Sequence, residues 1–186
     1  MPKLINKTVK PRWSPVVATV LTLLFSASLA ALQPAAADAG DPKILLKQAA
    51  MYLYGHGVEA DAGKAIERYR AVAEQGVAFA QYRLARIYLD GEHVERDVEK
   101  ALTWLHRAAG LGFVEAQLEL SRVFETAEDV EADYVSAWIW LHIAGSLGEL
   151  DIEARQQTLE EKMSFLQLTR AQYLARRCIY RGYKNC

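Results

Sequence analysis

The apolar positions of the chain fall into blocks with helical spacing, separated by loops in which Gly, Asp and Glu recur. Ala80, Leu84 and Tyr88 lie four apart, and Ala101, Leu105 and Ala108 keep the same rhythm, which puts each set on one helix face. The blocks predict first helices over 42–54, 78–90 and 114–125 and second helices over 62–75, 98–111 and 134–147. Asp61, Asp97 and Asp133 stand just before the second helices, where a carboxylate accepts the free N–H groups of the first turn. Gly76, Gly112 and Gly148 stand just after them, where glycine reaches the left-handed backbone that ends a helix. Asp41-Pro42 opens the first helix, with Asp as cap and Pro at the first helical position.

These marks recur with a period of 36 residues: Val58, Val94 and Val130; Asp61, Asp97 and Asp133; Ala65, Ala101 and Ala137; Gly76, Gly112 and Gly148. Ala80 pairs with Ala116, Leu84 with Leu120, and Tyr52 with Tyr88 and Phe124 at the same offset. One helix pair leaves its apolar face open, and stacked pairs bury it in a continuous core. The repeated Val is expected to anchor the inter-helix loop in that core. The predicted organisation is a repeat array over 38–150, in units of about 44–79, 80–115 and 116–150, with a two-helix cap over 151–186.

Tyr54-Gly55-His56-Gly57-Val58 with Asp61 and Lys64-Ala65, and 90–94 with Asp97 and Lys100-Ala101, resemble Sel-one-like repeats (SLR), relatives of the tetratricopeptide repeat. The second unit, from Ala80-Gln81-Tyr82 through Trp104-Leu105 and Ala108-Ala109 to Gly112, fits best. The third is degenerate: Gly55 and Gly91 become Ala127, and Gly57 becomes Asp129. The resemblance covers about residues 44–150 and implies an all-α, right-handed α-solenoid that serves as a scaffold. The tail beyond the array is similar to the one that many exported bacterial members carry.

Composition sets the first 37 residues apart. Lys3, Lys7, Lys10 and Arg12 form a basic start, 16–32 is an uncharged and mostly apolar run, and Ala35-Ala36-Ala37 offers the small residues of a cleavage site. This predicts a secretory signal peptide over 1–37 cut after Ala37, with a cut after Ala39 or an uncleaved anchor as alternatives. The whole chain of 186 residues carries a formal charge of −1, which argues against nucleic acid as a main partner. Cleavage leaves 18 basic against 23 acidic residues, a mildly acidic body of net −5 with no membrane insertion. Export places the chain in the periplasm or outside the cell.

Asp151 to Met163 and a stretch capped by Ser164 and running to about Arg181 are the tail helices. Leu168, Tyr173 (or Ala171), Leu174 and Ile179 are expected to form the inner face of the second, and a terminal cap calls for a polar outer side. Cys178 and Cys186 are the only cysteines, and in an oxidising compartment they pair, with Gly182 ending the helix so that the chain folds back.

No nucleophile elbow, phosphate loop, dinucleotide fingerprint or zincin motif occurs, and no cofactor is implied. His106 and His142 are one period apart but lack the further ligands a metal needs, and His56 and His93 fall in loops. Glu125, Glu128, Asp129, Glu131 and Asp133 read as a solvated acidic loop, with weak calcium binding as the minor reading. Trp104 and Trp140 share a repeat position and read as packing, whereas Trp138 lies off that frame and is expected to be more exposed.

Helical solenoids recognise partners on one face, commonly lined by first helices. The candidates there are first-helix residues that break the repeat pattern, Lys47, Tyr82, Arg83, Arg86, Glu119 and Arg122, with Arg86 and Arg122 one period apart as a basic stripe. The expected function is a non-enzymatic, exported adaptor or regulator that binds protein partners of an envelope complex. A purely structural subunit of an envelope machine is one alternative. Cysteine-rich relatives, with a disulfide in each repeat, imply another, a hydrolase of cell-wall material or a β-lactam.

Overall fold

The computed structural model describes residues 40–126, 132–147, 152–183 and 186. The leader at 1–37, Ala127, Val130, Gly148, most of the acidic loop (Glu128, Asp129 and Glu131) and the expected tail start at Asp151 lie outside the described residues. Among those described there are eight helices and no strand: α1 Pro42–Tyr54, α2 Ala62–Ala73, α3 Ala78–Asp90, α4 Val98–Gly110, α5 Val114–Thr126, α6 Tyr134–Ser146, α7 Glu153–Glu161 and α8 Phe165–Tyr180. None is long and apolar enough to cross a membrane.

The aspartates do what their position requires. Asp61 and Asp97 each accept the backbone N–H of the lysine three residues on at 2.9 Å, and Asp133 accepts that of Ser136 at 3.0 Å. Lys64 and Lys100 return to the same carboxylates at 3.0 and 2.6 Å and lie over the rings of Tyr52 and Tyr88. The N–H groups of Asp61, Asp97 and Asp133 donate to the carbonyls of Tyr52, Tyr88 and Phe124, so each inter-helix loop is closed by the same bond. Val58 and Val94 are half-buried, and Val94 packs on the core. Gly76 and Gly112 take φ of +85° and +80° after second helices that end one or two residues earlier than the spacing predicted.

Pairing follows the repeat: α1 with α2, α3 with α4 and α5 with α6 form the units, and α2 with α3 and α4 with α5 join them. Alanines at the crossings (Ala65, Ala80, Ala101, Ala116) are fully buried, which lets the backbones approach, and Leu84, Leu105 and Leu120 fill the space beside them. Two buried glutamines fasten the joints. Gln81 donates from Nε2 to the carbonyl of Ala73 at 2.9 Å, and Gln117 donates likewise to Ala109 at 3.2 Å. Each gives a second donor to a carbonyl in the last turn of the preceding helix, beside the N–H of Gly76 at 3.1 Å or of Gly112 at 2.9 Å. The result is an α-solenoid of three helix pairs with a two-helix tail.

The tail is bound by α5 and α6. Glu125 on α5 accepts from Arg155 at 3.2 Å and Lys162 at 3.1 Å, and Trp138 on α6 donates from Nε1 to Glu160 at 2.9 Å. Trp138 is 3% exposed, against the expectation of a solvent-facing ring. It leaves the repeat frame because it packs on the tail, which has no counterpart in the other units. Ser164 and Gln167 form a reciprocal capping box at the start of α8.

The inner face of α8 differs from expectation in two ways. Ala171, the alternative to Tyr173, is the buried residue, together with Ala175 and Cys178, while Tyr173 is 63% exposed. The outer side is not simply polar: Phe165, Leu166 and Tyr180 are 87%, 77% and 92% exposed. Small residues face α6 because the helices pack closely, and the large side chains are left outside. Cys178 and Cys186 stand in disulfide geometry with Cα atoms 5.3 Å apart, beyond a turn in which Gly182 and Tyr183 both have positive φ.

Candidate protein-binding surface

Lys47, Arg83 and Glu119 occupy one repeat position on α1, α3 and α5, and Arg86 and Arg122 occupy another. Arg83 reaches across to α1 and donates to the Tyr54 hydroxyl at 2.6 Å. Arg86 grips both oxygens of Asp90, at 3.1 and 3.2 Å, and touches the Tyr82 hydroxyl at 3.4 Å. The Tyr82 hydroxyl, and then Asp90, hold the Arg86 guanidinium more firmly protonated than usual. Tyr82 packs its ring on Phe113, 5.4 Å between centroids. Together with Ile87 and His93 these side chains line a cleft of about 160 Å³ between α1 and α3.

The expected basic stripe takes a different form. Arg122 forms an ion pair with Glu119, and Glu119, only 8% exposed, is the buried partner in that pair rather than a solvent-facing contact. The Glu119 hydrogen bond raises the Arg122 pKa, and the positive charge of Arg86 opposes it. Each arginine thus carries a carboxylate on its own helix, at i+4 on α3 and i−3 on α5. The face is a row of paired charges with tyrosine hydroxyls between them. Lys47 is exposed on α1 and takes no part in the cleft.

Tyr54, Asp90 and His93 belong to this surface and escaped the sequence reading. Tyr54 and Asp90 are one period apart, at the last position of their helices, and differ in type. That is the same break in the repeat that singled out Arg83. His93 closes the rim from the loop after α3, its ring 6.1 Å from that of Tyr54.

The other polar and aromatic side chains serve packing. His106 rests against Phe124 and Trp140, and His142 stacks on Trp138 at 4.8 Å and meets Gln156 through Nδ1 at 3.1 Å. Burial lowers the pKa of both imidazoles, with Arg176 adding to the effect at His142. Among the described residues no three His, Cys, Asp or Glu side chains stand close enough to hold a metal ion. Trp140 is buried, whereas Trp104 is half-buried beneath the guanidinium of Arg107 at 4.7 Å.

Comparison with known proteins agrees with the repeat. The Sel1 repeat matches three times in succession, at 47–77, 78–113 and 114–149. A crystal structure of c5321, described as a protective antigen of uropathogenic Escherichia coli strains displaying an SLR fold, is similar over 79% of this chain, with 29% identity and a TM-score of 0.66. The chain spans about a third of that protein's length, 32%. A Sel1 repeat protein from Oxalobacter formigenes is similar at 34% identity and a TM-score of 0.55, over 65% of this chain and 91% of that one. No curated protein matches the chain. Sel1 repeats generally mediate protein–protein interaction. With three adjacent matches over more than half its length, the chain belongs to the Sel1 repeat family.

Proposed function

We propose that this chain is an exported adaptor that binds a protein of the cell envelope through the cleft between α1 and α3. The observation that carries the reading is the pre-arranged network of Tyr54, Tyr82, Arg83, Arg86 and Asp90 in that cleft. Tyr and Arg are enriched at binding hot spots, Tyr because it buries a large surface at small conformational cost and Arg because it offers a planar fork of donors. Here both arginines are already held in place, so little freedom is lost when a partner arrives. Export is supported by the basic start, apolar run and alanine triplet of the first 37 residues, and by the paired cysteines.

The test is affinity capture from an envelope fraction, with the chain expressed under its own leader and Arg83→Glu with Arg86→Glu as control. A protein retained by the wild type and lost by the control, at equal helix content by circular dichroism, is the expected result. Equal retention by both baits would place recognition elsewhere on the array.

A further inference from the structure

The far end of the array carries a second surface of different chemistry. Residues 163–186 contain five basic side chains (Arg170, Arg176, Arg177, Arg181 and Lys184) and no acidic one. Residues 38–162 hold 13 basic against 23 acidic residues, so beyond the basic leader the excess of positive charge lies in the last helix and its end. The outward face of α8 is also ordered. Leu166, Arg170, Tyr173, Arg177 and Tyr180 succeed one another at intervals of 4, 3, 4 and 3, which lays them in one stripe along the helix, all exposed. Apolar or aromatic side chains alternate with arginines throughout it.

These arginines differ from those of the α1–α3 cleft. Among the described residues the side chains of Arg170, Arg177 and Arg181 make no hydrogen bond or ion pair, whereas Arg83 is held by the Tyr54 hydroxyl and Arg86, like Arg122 on α5, by a carboxylate. Beside the stripe, between α6 and α8, lies a hollow of about 480 Å³ with Leu174 and Ile139 in its wall and Arg170, Arg177 and Arg181 around it. The carboxylate that shares it, Asp133, is turned to its own helix and accepts from Ser136 N at 3.0 Å and Ser136 Oγ at 2.6 Å. The Cys178–Cys186 link ties the end of α8 to the returning chain, so the stripe is presented on a fastened helix.

We infer that the outer face of α8 is a docking site for an acidic amphipathic helix of a partner protein. A stripe at 4-3-4-3 intervals is the geometry that a second helix laid alongside can match. The available guanidiniums call for Asp or Glu on that helix, which they bind by paired N–H···O contacts, and Leu166, Tyr173 and Tyr180 call for apolar residues between them. The excess of Arg and Tyr favours a protein over a lipid surface, and the acidic remainder of the chain is repelled by anionic lipid.

The site is tested by selecting displayed random peptides, long enough for several helical turns, on the immobilised full chain expressed under its own leader. Recovered peptides are expected to be rich in Asp and Glu with apolar residues three or four apart. Arg170→Glu with Arg177→Glu should weaken them at least about tenfold, and their binding should fall with salt. Leu166→Ser with Tyr173→Ser should weaken them without altering charge, and Arg83→Glu with Arg86→Glu should leave them bound, which separates this site from the cleft. Peptides without acidic bias, or peptides that bind the Arg170/Arg177 variant equally, overturn the inference. So does recovery of none, and capture of phosphatidylglycerol vesicles in their place would make the stripe a lipid-binding face.

Discussion

A repeat position occupied by alanine in two units and glycine in the third marks where the array stops. Ala73 and Ala109 are buried at the ends of α2 and α4, and their carbonyls take the bonds from Gln81 and Gln117. The equivalent residue of α6 is Gly145, and a Cβ there would come within 2.1 Å of Ile152 Cδ1. Ile152 occupies the room that a methyl would take. Gly145→Ala therefore gains about 1 kcal/mol of helix propensity and loses about 1–3 kcal/mol to overpacking. The expected net result in urea unfolding is a small loss of stability, relieved when Ile152→Ala is added. Additive effects of the two changes would show that they do not meet. Gln81→Ala removes one of the two donors to the buried Ala73 carbonyl, leaving the Gly76 N–H at 3.1 Å, and is expected to cost about 0.5–1.5 kcal/mol, read in the same assay.

At the level of helices, the tail depends on its ends. Removing the Cys178–Cys186 link by Cys186→Ser frees a loop whose closure stabilises by roughly 2–3 kcal/mol. Urea unfolding of the variant, beside the wild type with and without reductant, should show the loss in the variant and in the reduced wild type alike. First-helix bounds and second-helix caps were legible in the chain because they rest on local rules: apolar residues at 3–4 spacing in the one, an aspartate before the helix and a glycine after it in the other. The inner face of α8 was less so. Leu168, Leu174 and Ile179 pack half-buried, yet Ala171 and Ala175 hold the closest approach, and small residues raise little hydrophobic signal beside an exposed Tyr173. The arginines of the first helices were found by their break from the repeat, but their carboxylate partners depend on side-chain reach. Glu119 shares its repeat position with Lys47 and Arg83, and its burial arises from the packing of the third unit alone.

For the molecule as a whole, acidity acts in two steps. Burial, and then Arg176, lower the His142 pKa from the ordinary 6.5, and burial lowers that of His106. The unfolded chain then binds protons first, so stability should begin to fall as pH drops below about 6.5 and level off once the folded imidazoles are protonated. The caps respond further down. Asp61, through the Lys64 backbone N–H, and Asp97, through the Lys100 side chain, have pKa values below the ordinary 3.8. Their contribution is full above that value and is lost as pH falls through the lowered pKa. Thermal unfolding across pH should show both descents, and His142→Gln should flatten the upper one. Export is checked by N-terminal sequencing of the protein recovered from outside the cytoplasm: a start at Asp38 fits a cut after Ala37, a start at Gly40 fits a cut after Ala39, and an intact Met1 means an anchor.

The Gly145–Ile152 contact also bears on how such a gene can lengthen. A further copy of the repeat placed after the third would begin against a helix end that lacks the methyl which Ala73 and Ala109 supply, and would have to displace the isoleucine lodged there. A copy inserted between the first and second units, or between the second and third, meets an alanine and a glutamine on either side and joins without repair. Longer descendants of this chain should therefore carry their extra units in the interior, with the glycine, the isoleucine and the basic last helix still in final place.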